Sequence, residues 1–210
     1  MKKIIVLVLL SLMTFVLYSC TNKEKESTTE KTEEQEVYQI SEKRPKLVRT
    51  EAKTDNYETL HQLEAKSPII LLVEKKKEIE PILGGNENAK VPVGTVSSVK
   101  VIKIIKNVSQ ETIKQDGFIR VLEREVYDKD DNTLYRVNDY SMMQEGGKYF
   151  LYLKKSETND EFIIRGGFFG KVEADTKNAK PGRLKTSKLS GEIEKLHKAA
   201  YEKNKKYLKK

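Results

Sequence analysis

Between residues 69 and 175 apolar and polar side chains alternate in short runs separated by turn-forming residues. That period of two restricts the fold more than any other feature of the chain. "IILLVEKKKEIEPI" is apolar on both faces at first and alternates later. "VSSVKVIKIIKN" sets Val99, Val101 and Ile104 between lysines. "GFIRVLEREVY" puts Phe118, Arg120, Leu122 and Arg124 on one parity and Ile119, Val121, Glu123 and Glu125 on the other. Neither parity is cleanly apolar, so this third strand is expected to be buried only in part. "KYFLYLKK" and "EFIIRGGFFGKVEAD", separated by the turn-like "SETND", read as a hairpin. Ahead of the strands, "NYETLHQLEAKSP" places Tyr57, Leu60 and Leu63 on one helical face, with Asn56 as N-cap and Pro68 as stop. Five or six short strands behind one short helix predict a mainly β fold, a small antiparallel barrel or sandwich. A core of about 110 residues is large enough to fold alone.

The amino terminus follows different rules. Lys2 and Lys3 precede a run from Ile4 to Leu17 that is apolar except for Ser11 and Thr14, the layout of a signal peptide. As a helix this run spans roughly 21 Å, short of the roughly 30 Å of hydrocarbon in a bilayer. It therefore reads as an export signal and not as a membrane span. The chain contains 1 cysteine, Cys20, directly after this run.

Leu17, Tyr18, Ser19 and Cys20 resemble the lipobox of bacterial lipoproteins, with a branched apolar residue three before the cysteine and a small residue directly before it. Tyr18 is bulkier than is usual at its position. The resemblance implies that the Cys20 thiol takes a diacylglycerol, and that cleavage after Ser19 leaves Cys20 as the first mature residue. Two acyl chains such as palmitate would hold the protein stably at the extracytoplasmic face of the cell membrane, where a single short chain holds only marginally. With that thiol alkylated, disulfides and cysteine-ligated metals are excluded in the mature chain.

Four segments follow: a signal peptide at 1–19, the lipidated cysteine and a disordered acidic tether at 20–56, a β-barrel domain at 57–175, and a linker with a basic C-terminal helix at 176–210. In the tether, residues 21–36 carry three lysines against six glutamates, a net of −3, and no apolar side chain. "VYQI" at 37–40 interrupts it as a short strand or docking segment. In the tail, "SGEIEKLHKAAYEKNKKYLKK" repeats Ile193, Leu196, Ala200 and Tyr207 at helical spacing behind Ser190 as N-cap. From Arg183 to Lys210 ten Lys or Arg oppose three Glu, a net of +7, against +8 for the whole chain. Lys198, Lys203, Lys205, Lys206, Lys209 and Lys210 are candidates for contact with anionic lipid headgroups or an anionic envelope polymer. The competing expectation is a solvated helix packed on the barrel.

The order of elements resembles a family of uncharacterised exported proteins and lipoproteins of Gram-positive bacteria. The residues that carry it are "YETLHQLEAKSPIILLVEKKKEIEPI", "TVSSVKVIKIIKN", "EGGKYFLYLKKS" and "FIIRGGFFGKV". The chain departs from the family pattern at "SPIILLVEK", where an acidic residue after the serine and a glycine within the strand are commoner. The resemblance implies a small OB-like barrel and assigns no activity.

Motifs with chemistry are sparse. "YDKDDNTLYRVND" sets Asp128, Asp130, Asn132 and Asp139 at EF-hand positions 1, 3, 5 and 12, but Thr133 stands where glycine is needed and Arg136 brings positive charge. A solvated hairpin loop is expected instead. His61 and His197 sit in the two helices, away from any glycine-framed serine, so no hydrolytic triad is expected. "GGFFG" lacks the lysine of a phosphate loop; its Phe168 and Phe169, pointing to opposite faces, and Arg165 beside them are candidate partner-binding residues. Arg120, Arg124 and Arg165 on an OB-like barrel suit single-stranded nucleic acid in principle, but none is expected outside the membrane. No cofactor, metal or catalytic residue is assigned. The sequence points to a lipid-anchored surface protein that binds a protein or polymer partner without catalysis, with an envelope glycan or peptide hydrolase using carboxylates as the alternative.

Overall fold

The computed structural model describes residues 44–86, 89–177 and 190–209. The signal segment, Ser19, Cys20, the acidic stretch 21–36 and "VYQI" lie outside the described residues. Lys43–Lys210 make up one unit.

The first strand, β1 (Lys46–Thr50), falls within the stretch expected to be tether, so the fold starts earlier than Tyr57. β1 runs parallel to β6 (Thr133–Val137), which in turn pairs with β5 (Glu125–Asp128) in an antiparallel hairpin. These three form a small sheet in the order β1-β6-β5.

α1 (Leu60–Lys66) follows. Its N-cap is Thr59 and not Asn56: the Thr59 hydroxyl accepts from Gln62 N at 3.2 Å, and Gln62 Oε1 accepts from Thr59 N at 3.3 Å. This reciprocal box starts the helix three residues later than the Asn56 cap read from the sequence. Tyr57 nevertheless joins Leu60 and Leu63 in one cluster from outside the helix.

The larger sheet is built on a long hairpin of β2 (Ile69–Asn86) and β3 (Ala89–Asn107). β3 pairs antiparallel with β4 (Phe118–Glu123), and β4 pairs in parallel with β8 (Phe162–Ile164). β8 pairs antiparallel with β7 (Lys148–Lys155), and β7 returns to β2 from Ile69↔Leu153 to Glu74↔Lys148. The ladder β2-β3-β4-β8-β7 thus comes back to its first strand, thinly on the β8 side, where two residue pairs join β4 and three join β7. This is the mainly β, OB-like architecture expected, a partly open Greek-key barrel. β9 (Lys171–Asp175) extends it along β7.

The expected third strand is two strands in different sheets. It breaks at Arg124 because β3 presses on the backbone there: a Cβ at Gly94 would lie 2.1 Å from Glu123 O, and Thr95 Oγ1 donates to Glu125 O at 2.7 Å. β4 stays in the barrel while β5 turns away to β6.

Two cores share the strands β2 and β7. Ile69, Leu71, Val73, Tyr149, Leu151 and Leu153 point into the barrel. Ile70, Leu72, Phe150 and Tyr152 point outward, covered by Leu63 of α1 and by Leu196 and Ala200 of α2 (Gly191–Asn204). Ser190 caps α2 as expected, and a short 3-10 turn, Lys205–Leu208, ends it. The apolar-on-both-faces start of "IILLVEKK" is explained: a strand between two cores has no solvent face.

Candidate functional site

At one end of the barrel the inward-pointing positions become polar. Lys75 continues the parity of Ile69, Leu71 and Val73, Ser97 that of Val99 and Val101, and Glu123 that of Val121. Lys75 is 1% exposed, and Ser97 and Glu123 are 0% exposed. Lys75 Nζ donates to Ser97 Oγ at 2.6 Å and to Glu123 Oε1 at 2.5 Å, and Ser97 Oγ donates to the same oxygen at 2.6 Å. Glu123 Oε2 accepts from Tyr140 OH at 3.0 Å and from Met143 N at 2.6 Å. Lys171, facing inward like its β7 neighbour Leu151, donates to Ser141 O and stands 4.2 Å from the Tyr140 ring centroid. Arg136 Nε donates to the buried Glu125 at 2.5 Å nearby.

These contacts set the charges. Burial would raise the Glu123 carboxyl, but Lys75 and Lys171 outweigh it and hold the group below the usual carboxylate range. Burial pushes Lys171 down to about 8 against the pull of Glu123 and Glu125. Burial, with Glu123 beside it, drives Tyr140 well above the ordinary phenol. Lysine, serine and glutamate are residue types of nucleophile and base sets. Here they satisfy one another inside the core and tie β2, β3 and β4 together.

The open surfaces lie where the chain leaves the β8–β9 path. Tyr152 O accepts from Arg165 N and Tyr152 N donates to Gly170 O, both at 2.9 Å, so residues 166–169 are extruded between two anchored points. Gly166 and Gly167 take φ of 59° and 61°, the left-handed conformation that glycine adopts most cheaply. The excursion sends its phenylalanines to opposite sides of the sheet, as their adjacency predicts. Phe168 packs on Tyr140 with ring centroids 5.9 Å apart, and Phe169 meets the edge of Tyr57 at 5.8 Å. Each is half-buried in a different core, so they form no common exposed patch. Both contribute to a cleft of about 410 Å³ shared with Tyr57, Asn138, Ser190 and Ile193.

A second cleft, of about 210 Å³, opens beside Arg165. Lys53, Arg124, Lys154 and Arg165 line it with one carboxylate, Asp55, so four cations face one anion. Arg165 Nη2 lies 3.2 Å from Asp55 Oδ2, which also accepts from Tyr57 OH at 3.1 Å. Arg165 Nε is buried and has no acceptor. Among the described residues Lys53, Arg124 and Lys154 form no ion pair. Arg120 is elsewhere, held by Glu80 at 2.6 Å and Glu161 at 2.9 Å, so the three arginines grouped from sequence do not converge.

The C-terminal helix docks on the barrel. Leu196, Ala200 and Asn204 are buried, and Asn204 Nδ2 donates to Tyr152 OH at 3.0 Å. His197 Nε2 lies 2.8 Å from Phe168 O, and burial lowers the pKa of its imidazole. Lys198, Lys203, Lys205, Lys206 and Lys209 are exposed, while Lys210 lies outside the described residues. Lys203 pairs with Glu64 of α1 at 2.7 Å and Lys205 with Glu202. The stretch with EF-hand spacing is the β5–β6 hairpin: Asp128 accepts from Asp130 N at 3.0 Å, Asn132 accepts from Tyr127 OH at 2.8 Å, and Asp139 is drawn away to Arg49.

No protein-family model matches the chain, and no curated protein matches it significantly.

Proposed function

We propose that this chain is a lipid-anchored bacterial envelope protein, held at the extracytoplasmic face of the membrane through Cys20, and that its OB-like barrel binds a partner and does not catalyse a reaction. It joins, on this reading, the exported proteins and lipoproteins of Gram-positive bacteria whose element order it resembles. The observation that carries the binding reading is a division of polar groups. The set with catalytic residue types is closed inside the barrel, whereas Lys53, Arg124 and Lys154, which form no ion pair among the described residues, line an open cleft. The exposed lysines of α2 and its 3-10 turn add a second basic surface for anionic lipid headgroups or an anionic polymer.

The test uses the full chain in a bacterial host that lipidates its exported proteins. Labelling with an alkyne analogue of palmitate and membrane fractionation should mark the wild type and leave Cys20→Ser unlabelled and unanchored. Retention of Cys20→Ser in the membrane fraction with its label would sink the anchor. Purified chain should co-sediment with cell-wall sacculi or anionic vesicles in a salt-sensitive way; release of glycan or peptide fragments from the sacculi would replace the binder with an enzyme.

A further inference from the structure

The cleft beside Arg165 is a built anion site, and we infer that it takes a phosphoryl group, for which Asp55 now stands in. The Nε and Nη2 hydrogens of an arginine lie on one edge and form a fork that receives two oxygens of one oxyanion. Asp55 reaches only the Nη2 tine, at 3.2 Å, and the Nε tine is left without an acceptor. The resident carboxylate therefore half-fills a bidentate site, and its side chain is 56% exposed, so it can turn out to water. A ligand oxyanion in its place completes the fork and meets Arg124, Lys154 and Lys53 on the other walls.

Charge decides the ligand class. With Asp55 displaced, four cations converge on a space of about 210 Å³, which suits a group carrying more than one negative charge better than a single carboxylate. The size fits one group of a larger ligand and falls below that of a whole drug-sized pocket. Ile163, which pairs with Lys154 across β7–β8, and Ile164 supply an apolar wall for the ester substituent of a phosphate. The cleft thus reads as a phosphate-ester subsite, and it deepens the binding-module reading, on which it rests.

The experiment is calorimetric titration of the detergent-solubilised full chain with inorganic phosphate at constant ionic strength. Wild type should bind saturably at one site. Asp55→Asn removes the competing charge and should tighten binding by roughly three- to tenfold. Arg124→Gln and Lys154→Gln, both half-buried side chains with no ion pair among the described residues, should each weaken it by about tenfold, as expected for one charged hydrogen bond to an oxyanion. Lys129→Gln, an exposed lysine on the β5–β6 turn, should change nothing. Equal affinities in all variants, or no saturation in either wild type or Asp55→Asn, would overturn the inference. Two further arms separate the sources of the phosphoryl group: sn-glycerol 3-phosphate, and equimolar phosphatidylglycerol–phosphatidylcholine vesicles. Vesicle binding that Arg124→Gln weakens in parallel assigns the cleft to headgroups; weakening confined to glycerol 3-phosphate assigns it to a free or polymer-borne ester. Flat phosphate titrations beside intact sacculus or vesicle sedimentation would remove this ligand and leave the anchored binder standing.

Discussion

Glu123 is the residue on which most of the barrel's polar interior converges. Four donors reach its two oxygens, from β2, from β3 and from the segment 140–143. Removing one partner of a buried pair leaves the other charge uncompensated, so Glu123→Gln should cost about 3–5 kcal/mol in urea unfolding. The double variant Lys75→Met/Glu123→Leu should lose clearly less than the two single changes added together, because it strands no charge. A sum that is simply additive would show the pair to be uncoupled. Lys171 gives a pH dependence of definite sign. Its folded pKa, about 8, lies below the ordinary lysine value of 10.5, so above pH 8 the folded chain loses a proton that the unfolded chain keeps. Stability should then rise with pH between about 8 and 10, the region before tyrosines titrate. Lys171→Met should flatten that rise in equilibrium unfolding measured across the window. The place of Lys75 was legible in the sequence, since it continues the inward parity of 69, 71 and 73; it passes for surface because two more lysines follow it. Lys171 was not legible, because its direction is set by pairing with Leu151 across a break in the strand.

Among the elements, the β8–β9 path carries the most information per residue. Read as one strand from 161 to 175, it is two short strands with residues 166–169 pushed out between them. Tandem glycines announced an irregularity. They did not say that both flanks would share Tyr152, which is a long-range hydrogen-bond fact. The excursion needs Gly166: φ is +59°, and an added Cβ would lie 2.6 Å from Asp55 O. Gly166→Ala should therefore cost about 2 kcal/mol or more in thermal or urea unfolding. A loss under about 0.5 kcal/mol, the scale of an ordinary surface change, would mean that the loop adapts freely. The break between β4 and β5 was half visible, in that neither parity of "GFIRVLEREVY" is apolar. Its cause, the close approach of Gly94, comes from a neighbouring strand.

At the scale of the molecule, one sheet stands between two cores, and the outer one depends on the docked helix α2. Leu196 is buried against Ile70, Leu72, Phe150 and Tyr152 in that core. Leu196→Ala should cost about 2–4 kcal/mol, read by unfolding, and a near-neutral result would mean that α2 rides on the barrel without supporting it. The barrel was legible because β2, β3 and β7 carry apolar residues at strand spacing. The small sheet was not, because β1 offers only Leu47 and Val48 as apolar residues and meets its partner far along the chain. That pairing is also the first hold on the amino-terminal side of the fold. Lys46 N is bonded to Asn132 O and the β1–β6 ladder follows; next, Asn138 grips Ala52 through two hydrogen bonds of 2.9 and 2.7 Å. Asp55 on Arg165 comes third, and the buried Tyr57 last. The amino-terminal entry of the fold is thus fastened at four successive points along the chain, the β1–β6 ladder, Ala52 on Asn138, Asp55 on Arg165 and the buried Tyr57.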